Sequence, residues 1–243
     1  VSTASRVGTG NIVGVSSAIC IGGVGSVFWM WVIAIIGSAS ALAESTLAQI
    51  YKKKSEDGEC YGGPAYYIEA ALHSRGLAID FCIAMILTYA FGFNMLASYN
   101  LQSTFAGMSF YNAEVTPWII GGVLALVTGW CLLGGGHRIV KVTSTLVPFM
   151  GVVYILVSLL IVILNIGQLP AVLAQIFEEA FNFKAIFAGF AGSAMMQGIR
   201  RGLYSNEAGI GSAPNAAASA VVSHPVKQGL VQMLSVFIDT LLL

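Results

Sequence analysis

Apolar residues gather in blocks of membrane length, near 27–50, 79–105, 117–134, 145–165 and 229–243. With its flanks, each block approaches or exceeds the roughly 20 residues a helix needs to cross a bilayer. Two more blocks, 1–22 and 186–204, are apolar but interrupted by glycine. Glycine costs about 1 kcal/mol against alanine inside a helix, and irregular backbone at membrane depth persists only where protein buries it or it lines a cavity. These two blocks therefore read as broken helices bordering a ligand site. Between the blocks lie a polar loop at 51–64 (YKKKSEDGECYGGP), a short amphipathic piece near 65–73, and turns at Pro117 and Gly134–Gly136. A longer connection, 166–185, carries Pro170 and predicts a short interfacial helix over 171–180. The pattern predicts an all-α membrane protein of about seven transmembrane segments, two of them discontinuous.

Composition agrees: 57% of residues are hydrophobic and 9% charged, against roughly 25% charged in soluble domains. Eleven basic and eleven acidic side chains cancel, and no basic stripe suggests nucleic acid. Lys52, Lys53, Lys54, Arg75, Arg138, Lys141, Arg200, Arg201 and Lys227 fall at alternate ends of the span order, which predicts a cytoplasmic location for those ends. Loops 106–116 and 166–185 should face outside. Cys20, Cys82 and Cys131 sit in apolar stretches and Cys60 in a polar loop, without metal-ligand spacing, and read as unpaired. The chain opens at Val1 and stops at Leu243 within an apolar run, so it reads as a fragment, expected to be inactive alone.

The interrupted blocks lie far apart and run in opposite directions under this orientation, the sequence pattern of an inverted-repeat secondary transporter. In the first, Gly8, Thr9, Gly10 and Asn11 combine two residues lacking side chains with a hydroxyl and an amide. Unwinding there frees amides for a substrate carboxylate and oxygen atoms for a cation. The alternative is a packing face, since Gly10 and Gly14 form GxxxG and Gly22 and Gly25 continue it. In the second, Gly189, Phe190, Gly192 and Ser193 leave room for a ligand of a few heavy atoms, with Phe190 or Met196 as a wall. Met195 and Met196 equally suit plain core filling.

Ionisable groups at membrane depth are expensive and point to function. Asp239 with Thr240 offers oxygen donors for a cation such as sodium, as do Thr9 and Asn11; Arg6 and Glu44 are further cases, Glu44 equally readable as a helix-end residue reaching the interface. Asn94 and Ser98 are four apart, share a helical face, and either line the substrate path or bond neighbouring helices. In RRGLYSNEAGIGSAPNAAASA, Ser205, Asn206 and Pro214 mark a helix end and restart near a membrane boundary. Arg200 and Arg201 there either gate with Glu207 or serve as positive-inside anchors. His73, His137 and His224 all fall in predicted loops, and no Ser/His/Asp set or metal cluster supports an enzyme.

GTGNIVGV at 8–15, GGVGSVFWMWV at 22–32, GGPAYYIE at 62–69, LVPFM at 146–150 and RGLYSNEAGIGSAP at 201–214 resemble the alanine or glycine:cation symporters, also called sodium:alanine symporters. The resemblance implies a LeuT-type fold of two inverted five-helix repeats: a first repeat over 1–165, an extracellular connection over 166–185, and the start of a second repeat over 186–243. It also implies sodium-driven uptake of alanine or glycine across the cytoplasmic membrane by a multi-pass protein. D-amino acids as substrates and protons as the driving ion remain alternatives. So does an uncoupled channel or an amino acid sensor on the same scaffold. Two positions depart from the family pattern: Val24 where GGPG is common, and Ala97 where many members carry glutamine.

Overall fold

A computed structural model describes residues 9–56, 58, 60–182 and 193–242, apart from the side chains of residues 9–12 and 242. Its axis is a 25-residue helix, Ser26–Ile50, labelled α2 after the shorter α1 at Thr9–Gly22. The buried residues of α2 are Ser26, Met30, Ala34, Gly37, Ser38, Ala41, Ser45, Ala48 and Gln49. They recur every three or four positions, which draws one stripe down a helix. Nearly all are small, so neighbouring backbones come close, as helices inside membranes require. Ile35 and Ile36 point the other way and are exposed.

A two-residue hairpin, β1 at Lys53–Lys54 and β2 at Cys60–Tyr61, pairs Lys53 with Tyr61 and Lys54 with Cys60. The amphipathic α3 (Pro64–Leu72) follows, started by Pro64 and ended by left-handed His73. A long span comes next: α4 (Arg75–Ile86), a π-helical stretch over Leu87–Phe93, and α5 (Asn94–Ser103). Helices α6 (Thr116–Leu133) and α7 (Gly135–Leu164) form a hairpin through Gly134, leaving Trp118, Leu126 and Leu133 exposed. Helix α8 (Leu169–Ala180) follows, then α9 (Ala194–Asn206), α10 (Ser212–Ala218) and α11 (Pro225–Phe237), the last running into a π turn at Ile238–Leu242.

Among the described residues, four helices are long and apolar enough to cross a membrane: Ser26–Ile50, Arg75–Ser103, Thr116–Leu133 and Gly135–Leu164. They coincide with four of the blocks read from the sequence, and α3 and α8 coincide with the two expected short helices.

Helices α1, α9, α10 and α11 close around the stripe of α2. Gly198 of α9 meets the Ser26 carbonyl and Trp29, and Gly202 meets Met30 and Ile33, so α9 follows the first half of α2. Ala34, Ala41, Ala208 and Val236 share a buried apolar cluster. Lower down, the Gln49 amide donates to the Ala217 and Ala220 carbonyls, and Lys52 Nζ donates to Ala220 O at 2.9 Å. Gly229 lies against Leu42 and Thr46, so α11 starts beside the end of α2. Over the α1–α2 turn lies α8: Trp29 Nε1 donates to Ala180 O at 3.0 Å and the Gly25 amide to Glu179 Oε2 at 3.3 Å, with Phe28 against Phe177 and Phe181. Gly14, Gly22 and Gly25 face Arg201, Gln197 and the Ala180 backbone, which is the packing-face reading of these glycines.

Candidate functional site

Between Asn206 and Ser212 the chain leaves helical geometry. Glu207 takes left-handed backbone angles at φ 48°, and Gly209 and Gly211 do so at 82° and 92°. Only glycine enters that region at little cost, so Gly209 and Gly211 make the break while Glu207 accepts some strain there. The break presses against Gly37, near the middle of α2, where the Asn206 amide and Ala208 leave no room for a side chain. Together α9, the break and α10 cover the length of α2 as one interrupted rod.

The sequence placed the second interruption near Gly189–Ser193 and gave 205–214 to a membrane boundary. The structure puts a break at 207–211, beside mid-α2, and makes 194–206 continuous helix. Gly189 to Gly192 lie outside the described residues; what differs is the depth of the restart at 205–214, because the two arginines Arg200 and Arg201 read as an interface. Arg201 is 8% exposed inside the bundle, beside the first half of α2 and away from Lys52.

The polar groups of the break are held by side chains. Asn206 Oδ1 accepts from the Ala208 amide at 3.0 Å, and Glu207 Oε2 accepts from Ser212 Oγ at 2.7 Å. Glu44 Oε1 accepts from the Gly209 amide. Glu44 is therefore tied to the break, not extended to an interface. Its charge also reaches α3, outside the spans, where burial first and Glu44 second push the Tyr67 phenol up to about 12.

Next to the break, Ser205 Oγ donates to Asp239 Oδ2 at 2.7 Å, and both residues are 3% exposed. Asp239 lies in the closing π turn, whose neighbour Thr240 has a buried hydroxyl with no partner among the described residues. The Asp239–Thr240 pair read as a cation site thus sits at the break. Its partner Ser205, 34 positions away, was read only as a helix end.

Other expected site residues are distributed differently. Thr9, Gly10 and Asn11 are helical and belong to α1; the residues before Thr9, where the first interruption was expected to begin, lie outside the described residues. Gly8, Phe190 and Gly192 lie outside the described residues. Ser193 caps α9, its Oγ accepting from the Met196 amide, and stands about 18 Å along the helix from Ser205 at 1.5 Å per residue. It does not join Asp239.

Asn94 is exposed, bonds back to Ala90 O at 3.1 Å and, with Ser98, lines a groove against α6. The residue α5 turns inward is Asn100, 7% exposed and facing α1 and α9. Six positions separate Asn94 from Asn100, about 240° around a helix, which is why they serve different faces. An aromatic stack then joins this span to α9: Tyr89 on Phe93 at 4.7 Å, Phe93 on Tyr204 at 5.2 Å, and the Arg201 guanidinium 4.9 Å from the Tyr204 ring.

Three curated proteins show how widely this chain is shared. It is 49% identical over 244 residues to "Probable sodium/glutamine symporter GlnT" of Bacillus subtilis (strain 168), covering all of this chain and 50% of that protein. It is 47% identical over 244 residues to "Amino-acid carrier protein AlsT" of the same organism, covering all of this chain and 51% of that one. With "Sodium/alanine symporter AgcS" of Methanococcus maripaludis it shares 43% identity over 238 residues, 98% of this chain and 52% of the other. The chain spans about half the length of the curated relatives it matches. The model of the Sodium:alanine symporter family matches residues 1–243, and the chain belongs to that family.

Proposed function

We propose that the protein carries a small neutral amino acid, alanine or glycine, together with sodium across the cytoplasmic membrane by alternating access on a LeuT-type scaffold of inverted repeats. One observation supports this reading above all: an interrupted span at mid-α2 with a buried carboxyl–hydroxyl pair, Ser205 and Asp239, directly beside it. Broken helices meeting at mid-span are where such transporters bind substrate and ion.

In this reading the amino acid carboxylate is met by the opening amides of α1 at Thr9–Asn11, where the helix dipole favours an anion. Gly8 and Gly10 keep side chains out of its way, and Phe190 and Gly192 bound its small side chain. Sodium, a hard cation, takes oxygen donors: the Asp239 carboxylate, the Thr240 and Thr9 hydroxyls, and the Asn11 amide oxygen. Ser205 holds Asp239 in place. Coupling follows when each ligand favours the conformation that the other also favours.

The test is uptake of radiolabelled alanine into proteoliposomes holding the polypeptide that carries this chain, with and without an inward sodium gradient. Uphill accumulation that needs sodium is the expected result, and equal rates in both conditions reject coupling. Saturable flux without accumulation indicates a channel, and tight binding without flux a sensor. Asn11→Ala and Gly10→Leu should abolish alanine binding.

A further inference from the structure

On the side of the break away from Lys52, helices α1, α5 and α9 line an open cavity of about 390 Å³. That lies in the roughly 300–1,000 Å³ range of small-molecule sites. Its polar lining is Ser17 from α1, Asn100 from α5, and Gln197, Arg200, Arg201 and Tyr204 from α9, and no acidic residue among the described residues lines it. Arg201 and Asn100 are both buried, 8% and 7% exposed.

The cavity is built around the Arg201 guanidinium. Any side chain at Gly14 would collide with it, and the Tyr204 ring backs it at 4.9 Å. Behind it Asp239 offsets part of its charge, while Arg200, exposed, adds a second cation from the open side. Two guanidinium groups, two amides and two hydroxyls, with no carboxylate among the described lining residues, select an anion, and the planar fork of arginine suits a carboxylate.

We propose that this cavity is a carboxylate site distinct from the break, where the α-carboxylate of an amino acid is held by Arg201 and Arg200 one turn short of Ser205. The inference rests on the amino acid transport reading for the identity of the ligand and on the cavity alone for its chemistry. Amino acids are gathered there before they reach the break. The small volume and the apolar Val13 and Leu96 walls admit short side chains.

The test uses the polypeptide that carries this chain, in detergent at constant ionic strength, and reads thermal unfolding with propionate, chloride or ethylammonium as separate probes. Propionate should raise Tm by several degrees, with little effect from chloride or ethylammonium. Arg201→Gln should remove the propionate shift. Should that variant fail to fold, Ser17→Phe fills the cavity from the exposed side of α1 and should remove the shift while leaving Arg201 in place. Asp239→Asn should keep the propionate shift while losing any sodium response, so failure of the transport reading and failure of this one are separable. A propionate shift that survives both Arg201→Gln and Ser17→Phe overturns the proposal, as does none in the unaltered protein. A chloride shift equal to that of propionate overturns the assignment to a carboxylate.

Discussion

The Ser205–Asp239 contact makes a quantitative claim. Both side chains are 3% exposed and the hydroxyl donates to the carboxyl group at 2.7 Å. Hydrogen bonds to charged groups contribute about 1.5–3 kcal/mol net, and a buried acceptor left without its donor bears a desolvation cost of similar size. Ser205→Ala should therefore lower the unfolding free energy by about 2 kcal/mol. In an Asp239→Asn background the same change should cost less, because the charged acceptor is gone, giving a coupling energy of about 1–2 kcal/mol. The assay is unfolding in mixed micelles titrated with denaturing detergent, followed by tryptophan fluorescence, for both single variants and the double. The same samples titrated with sodium link the pair to the ion: a loss of about 2 kcal/mol from an ion ligand is a roughly thirtyfold weaker sodium response. Equal costs of Ser205→Ala in the two backgrounds would refute the pairing, and an unchanged sodium response in Asp239→Asn would remove Asp239 from the ion site.

Two further outcomes are expected elsewhere. Gly198→Leu drives a side chain into the Ser26 carbonyl and Trp29, and should destabilise α9 against α2 by about 3 kcal/mol or more, seen as loss of the monodisperse peak in size-exclusion chromatography. Glu179→Ala removes the acceptor of the Gly25 amide and should cost about 1 kcal/mol locally. Deuterium exchange over Gly23–Ser26 should then accelerate about fivefold, and an unchanged rate would show that α8 does not hold the turn.

The spans were legible because apolar blocks of membrane length allow few other structures: Ser26–Ile50 and Thr116–Leu133 start within a residue of their expected positions. The helix end and restart over 205–214 was legible as well, but its place at mid-span was not, because Arg200 and Arg201 look like an interface unless the burial of Arg201 is known. Local signals were present in Gly209, Gly211 and Pro214, and were assigned to a boundary instead of mid-span. Asp239 stood out by charge alone, whereas Ser205 and Glu44 gain meaning only from long-range packing. Asn94 and Asn100 differ in role by rotation about the helix, and the π-helical stretch before them shifts which neighbours each one faces, a phase that counting from the start of the span does not give.

That stretch, Leu87–Phe93, has a mechanical corollary. A wide turn carries one more residue than a regular one, so it offsets the azimuth of everything beyond it by about 100°. Asn100 meets α1 and α9 because of that phase, and sliding the slack along the rod would swing it out of register. Phe93, wedged between Tyr89 and Tyr204, clamps the present setting, so a twist in α9 carried through the rings would be felt as rotation of the distant end of its neighbour.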